Sequence, residues 1–166
     1  MIFIFTLGYL TTHQREIWKY RQQGQTQTQI GKTLGISRQA IHRIFTQIDA
    51  KLERALKEAA TLNRISPTHP VNTIQGLVFG YSETLRMDCL LIYHPTFGTQ
   101  LWYEYEGDCS RCQQHSICQP ALQDLYTMHN IEFPPERASL ETNRLVQNFL
   151  TKMKKKTTQS FEKHIL

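Results

Sequence analysis

Cys109, Cys112 and Cys118 stand within ten positions of one another in the stretch "GDCSRCQQHSICQ", and the chain has only one other cysteine, Cys89. Thiols at this density have three uses: disulfide pairing, a structural zinc, or an iron-sulfur cluster. The four together read C-x19-C-x2-C-x5-C. Sulfur is a soft donor, so four thiolates converging on one centre suit zinc or a cluster. Zinc sites are commonly built from two C-x2-C knuckles, and this chain has one. His115, inside the C-x5-C loop, is the imidazole that could replace a ligand in a zinc site; His69, His94 and His129 read as polar residues in their own settings. No Ser, His and Asp order, phosphate loop or carboxylate pair argues for hydrolysis or phosphoryl transfer, so no enzyme is expected. The reading from a different class is a thiol-disulfide oxidoreductase using Cys109 and Cys112. That pair lacks a βαβ context.

The opening "MIFIFTLGYL" has neither the basic flank nor the small-residue cleavage site of a signal peptide, and ten residues fall short of the roughly 20 that span a bilayer. It reads as a strand or packed arm, and the expectation is a cytoplasmic chain with no membrane partner. In a reducing compartment four cysteines bind metal or do redox chemistry more often than they form structural disulfides.

Charge separates the chain into two halves. Residues 1–66 carry ten Lys and Arg against four Asp and Glu, whereas residues 67–166 carry nine against ten. A basic front and a near-neutral back suggest a polyanion-binding module joined to something with another task. Within the front half, "LTTHQREIWKYRQQG" offers Thr11 or Thr12 as a helix N-cap and Gly24 as its end; "QTQTQIGKTLG" gives a short helix from near Thr26, closed by Gly35. Then Ser37 caps a helix without Gly or Pro as far as Ala60, with Ala40, Ile41, Ile44 and Phe45 on its inner face. Helix, short helix, tight turn and polar helix start make a helix-turn-helix. Arg38, Gln39, His42 and Arg43 lie on the first turns of that last helix, away from Ile41 and Ile44. Arg pairs bidentately with guanine and Gln with adenine, which suits base-edge reading. Arg15, Lys19, Lys32 and Lys51 are candidates for phosphate contacts.

The stretch "LTTHQREIWKYRQQGQTQTQIGKTLGISRQAIHRI" resembles the tetrahelical helix-turn-helix of sigma-factor region 4, LuxR-type regulators and archaeal Tfx-like DNA-binding proteins. The resemblance implies that the helix beginning at "SRQAIHRI" enters the major groove of double-stranded DNA. The cysteine spacing is similar to the [4Fe-4S] ligand pattern of WhiB-like regulators and of fumarate-nitrate reduction regulators. It implies a cluster held by Cys89, Cys109, Cys112 and Cys118, with Zn2+ as the alternative.

Phe45, Ile48, Leu52, Leu56, Ala59 and Leu62 continue the long helix as an apolar stripe, which either folds back on the first helix or forms the seam of a homodimer. "SPTHP" ends the helical region. The predicted division is residues 1–65, a DNA-binding domain, and residues 66–166, a four-cysteine metal or sensor domain. In the second part "TIQGLVFGYSE", "RMDCLLIYHP" and "TQLWYEYE" read as strands with a hairpin turn at "HPTFGT", so the predicted class is α+β, with a small antiparallel sheet and helices around the metal site. The hairpin would bring Cys89 opposite a residue near Glu104, and Phe97, Trp102, Tyr103 and Tyr105 could shield a cluster. Helices are expected from Pro120 and through Leu145 and Phe149, with "KMKKK" a solvated tail. The function these residues predict is a transcription regulator that senses redox state or oxygen through a [4Fe-4S] cluster, with RNA polymerase or other transcription machinery as a possible partner; the first alternative is the same regulator with a structural zinc.

Overall fold

The computed structural model describes residues 2–5, 10–105, 107–109, 111–113, 115–134 and 141–162. The chain divides into two compact units, Phe3–Leu101 and Trp102–Leu166 with Met1–Ile2. After a first strand come three helices: α1 (Thr12–Gln22), α2 (Gln27–Leu34) and α3 (Arg38–Leu62). Each begins at a side-chain cap. The Gln14 N–H donates to Thr11 Oγ1 at 3.2 Å while the Thr11 N–H donates to Gln14 Oε1 at 3.1 Å, and Thr26 with Gln29 repeats the box on α2. Ser37 Oγ accepts from the Ala40 N–H at 3.1 Å.

The turn between α2 and α3 depends on two glycines. Gly35 closes α2 in the left-handed region, at φ +69°. Gly31 lets the turn come close, because an added Cβ would stand 2.7 Å from the Ile36 carbonyl oxygen, and the Ile36 N–H donates to the Gly31 carbonyl at 3.0 Å. Ile17, Trp18, Ile30, Ile41 and Ile48, contributed by the three helices, are fully buried.

The sheet has the order β1-β5-β4-β3-β2, from β1 (Ile2–Phe5), β2 (Ile65–Pro67), β3 (Leu77–Ser82), β4 (Met87–His94) and β5 (Gly98–Tyr103). β3 pairs antiparallel with β2 and with β4, with Gly80 facing Pro67 on one side and Cys89 on the other. Pro67 sits in the edge strand, where its missing N–H costs the sheet least. At the β4–β5 turn His94 Nδ1 accepts from the Thr96 and Phe97 N–H groups at 3.1 and 3.3 Å. The expected small antiparallel sheet in an α+β chain is therefore present. The alternation read in "TQLWYEYE" does not become a half-exposed strand, because every residue of β5 is buried.

The apolar stripe of α3 lies on this sheet. Leu52, Leu56 and Ala59 are fully buried within the single chain, and α3 packs against β2, β3 and β4. Of the two expected coverings for the stripe, its own unit supplies one, through the sheet and not through the first helix alone; Leu62, at 70% exposure, lies outside it. This packing also explains why the compact units divide at 101/102 where the sequence suggested 65/66. A helix whose second half needs the sheet as its core partner cannot be cut from it. Trp18 adds a second tie, its indole N–H donating to the Thr73 carbonyl at 3.0 Å and its ring meeting Tyr93 edge-on at 5.4 Å.

In the 102–166 unit α4 (His115–Met128) packs against α5 (Thr142–Glu162). The Tyr126 hydroxyl donates to the Leu145 carbonyl at 2.9 Å, and burial raises its pKa. α4 starts at His115 and contains Pro120, which the sequence placed at the helix start. The lysine run is part of α5, not a solvated tail. Met153 is fully buried, Lys154 lies 3.4 Å from Glu104, and Lys156 donates to the His129 carbonyl, with burial lowering its pKa. Among the described residues no helix is long and apolar enough to cross a membrane.

Leu52→Ala empties a fully buried site between α3 and the sheet, so it should cost about 2–5 kcal/mol in chemical denaturation, and Leu52→Lys should leave the chain unfolded instead of yielding a folded monomer.

Candidate nucleic-acid interface and thiol site

The start of α3 is where polar chemistry collects in the 3–101 unit. Arg38, Gln39, His42 and Arg43 are all exposed, while Ile41 on the other side of the same turns is fully buried. With Gln27 they line an open hollow of about 410 Å³. Among the described residues no carboxylate pairs with Arg38 or Arg43, so both cations face solvent with their charge uncompensated. This is a positively charged surface with hydrogen-bond donors fixed on a rigid helix, the combination that attracts phosphates and can reach base edges.

The other four candidate cations separate into two pairs. Lys19 and Lys32 are exposed. Arg15 donates to the Pro95 carbonyl and Thr12 Oγ1, and Lys51 donates to Gln14 Oε1 at 2.9 Å, so these two are held by internal partners. Arg21 is also internal. It pairs with Asp49 at 2.6 Å and lies over the Phe45 ring at 4.6 Å, tying α1 to α3. Gln27 was missed in sequence. The signal available was its place directly after the Thr26 cap, in the first turn of the helix that precedes α3.

A different chemistry collects in the 102–166 unit. Cys109, Cys112 and Cys118 line one hollow of about 20 Å³, walled by Trp102, Tyr103 and Tyr105 and by the first turns of α5. The Cys112 N–H donates to the Cys109 carbonyl at 3.1 Å, closing the C-x2-C segment into a turn. Cys118 is buried on the first turn of α4. Asn143 Nδ2 donates to the Gly107 carbonyl at 2.8 Å and so anchors the approach to Cys109. The Tyr105 ring lies across Gly107, and a Cβ there would fall 1.9 Å from its phenol carbon and oxygen, so any side chain at 107 would push this exposed ring aside.

Cys89 belongs to the 3–101 unit, on β4 opposite Gly80. Burial pushes its thiol up to about 12, with the Asp88 charge adding to the shift. None of the four cysteines is in a disulfide. Among the described residues no three His, Cys, Asp or Glu side chains stand close enough to hold a metal ion. The soft donor set of the three-thiol hollow suits zinc or iron, but its ligand geometry is not assembled. The side chain of His115 lies outside the described residues. His69 meets Phe79 edge-on and His129 meets Phe149 in the same way. Of the aromatic residues expected to shield a cluster, Trp102, Tyr103 and Tyr105 line the thiol hollow, whereas Phe97 stacks on His94 at 4.8 Å.

The chain matches no protein-family model, no curated protein and no solved structure.

Thiolate is the nucleophile, so the buried Cys89 should react with iodoacetamide at pH 8 roughly a hundredfold or more slowly than the part-exposed Cys109 and Cys112 in metal-free protein, as read by peptide mass mapping. The same shift affects stability. The folded chain keeps Cys89 protonated while the unfolded chain ionises it above about pH 9, so this contribution is complete below pH 9 and declines as pH rises toward 12.

Proposed function

We propose that the protein is a DNA-binding transcription regulator that reads double-stranded DNA with the start of α3, and that a thiol-ligated [4Fe-4S] cluster makes its binding depend on redox state or oxygen. One observation carries the DNA reading. Arg38, Gln39, His42 and Arg43 are presented together to solvent at the start of a helix whose inner side is buried and whose entry turn is fixed by Gly31 and Gly35. Such a helix reaches into a major groove without rearranging, and exposed Lys19 and Lys32 add phosphate attraction.

Three soft donors sharing one hollow support the metal centre, and the cysteine spacing offers Cys89 as a fourth. A cluster supplies an inorganic core that oxidants degrade; the aromatic wall of Trp102, Tyr103 and Tyr105 limits water beside the thiols. Zinc is the second reading, and the hollow's size favours it. About 20 Å³ is room for a single ion or water, so a cubane requires the three thiols to move apart.

Replacing Arg38 or Gln39 with Ala should cost about 1–3 kcal/mol on the selected duplex and less on random duplex, measured by titration at fixed salt. Equal losses on both would remove base reading from α3.

Protein isolated without oxygen should be brown, with about four iron and four sulfide per chain, and Ser at Cys89, Cys109, Cys112 or Cys118 should weaken or abolish that content. Loss of the cluster should change operator affinity about 5- to 150-fold if the centre is a sensor. Colourless protein holding one zinc would favour the second reading, and equal affinity with and without the centre would remove sensing alone.

A further inference from the structure

Gln27 lies on α2, yet its side chain meets the recognition helix: its amide Nε2 is 3.3 Å from Nδ1 of His42, and both residues line the hollow that Arg38, Gln39 and Arg43 complete. We propose that Gln27 is a positioning residue for sequence specificity, fixing His42 as a hydrogen-bond donor toward the bases. The proposal rests on the reading of α3 as a recognition helix and adds to it a residue from a second helix.

An amide nitrogen has only hydrogens to offer, so the contact requires Nδ1 to accept. A neutral imidazole carries one proton, and with Nδ1 accepting, that proton sits on Nε2 at the far corner of the ring. His42 is exposed, so Nε2–H is available to a ligand. In the major groove such a donor matches guanine O6 and N7, adenine N7 or thymine O4. It is opposed by the amino groups of cytosine N4 and adenine N6. A histidine free to exchange tautomers serves either kind of edge and discriminates poorly; with the Gln27 nitrogen toward Nδ1, the contact favours the Nε2–H form.

The backbone makes Gln27 suitable for this task. It is the first residue of α2, and the capping box beside it is closed by Thr26 and Gln29, which leaves the Gln27 amide outside the cap. Its replacement therefore removes the contact to His42 without removing the helix start.

The test has two readouts on the full chain. A preferred duplex is selected from a randomised pool, and affinities are measured for every single-pair change with the wild type, His42→Ala and Gln27→Leu. One base pair should lose its preference in His42→Ala. Gln27→Leu should weaken discrimination at that same pair about fivefold or more, within the usual range for one base-pair contact, and leave the remaining pairs unchanged. Unchanged discrimination there, or an equal loss at all pairs, overturns the proposal. Long-range 15N–1H spectra of the free protein, with the imidazole neutral, should show His42 with its proton on Nε2 in the wild type and a mixture of the two tautomers in Gln27→Leu. A wild-type proton on Nδ1 together with selective DNA binding overturns the role of Gln27 alone, whereas a chain that selects no duplex overturns the DNA reading and the specificity role with it.

Discussion

A 25-residue helix extends about 38 Å, longer than the two short helices before it can cover. Whatever buries the second half of α3 therefore determines how the 3–101 unit is built. The sheet does so, taking Leu52, Leu56 and Ala59 out of water, and the same helix carries Arg38 to Arg43 at its free end. Orientation of the polar end is thus inherited from packing at the apolar end. Trp18 and the Arg21–Asp49 pair keep α1 in step with that axis, so the exposed side chains sit on a body with its own core.

The parts of the fold that were legible in sequence are those decided within a few residues. Thr11, Thr26 and Ser37 satisfy N–H groups three positions on, and Gly35 takes a left-handed cap, so the helix starts and the turn were readable from residue type alone. The four polar residues at the start of α3 followed from its period. What escaped reading depends on partners far away in the chain. The stripe after Phe45 predicts burial but not by what, and the alternation in β5 says nothing of a strand whose two faces are both covered. Lysines 154 and 156 look like a solvated run until Glu104 and the His129 carbonyl stand beside them.

The cysteines show the same boundary inside a single motif. Spacing is local, and it brought Cys109, Cys112 and Cys118 to one hollow. The environment of each thiol is not local. Cys118 is buried because α4 begins earlier than its proline suggested, and Cys89 is in a strand interior that disfavours its ionised form. A soft ligand set written into the sequence still needs a fold that lets each sulfur lose its proton.

The boxes that open α1 and α2 use glutamine where a glutamate would make the same reciprocal bond, and neither helix has an acidic residue in its first turn. A carboxylate cap would add a negative charge, losing its bond in acid and repelling any anion that approached the helix end. The amide caps do not titrate and carry no charge. The starts of α1 and α2 are therefore held by bonds that acid does not break, and the positive ends of these two helix dipoles meet no carboxylate in their first turns.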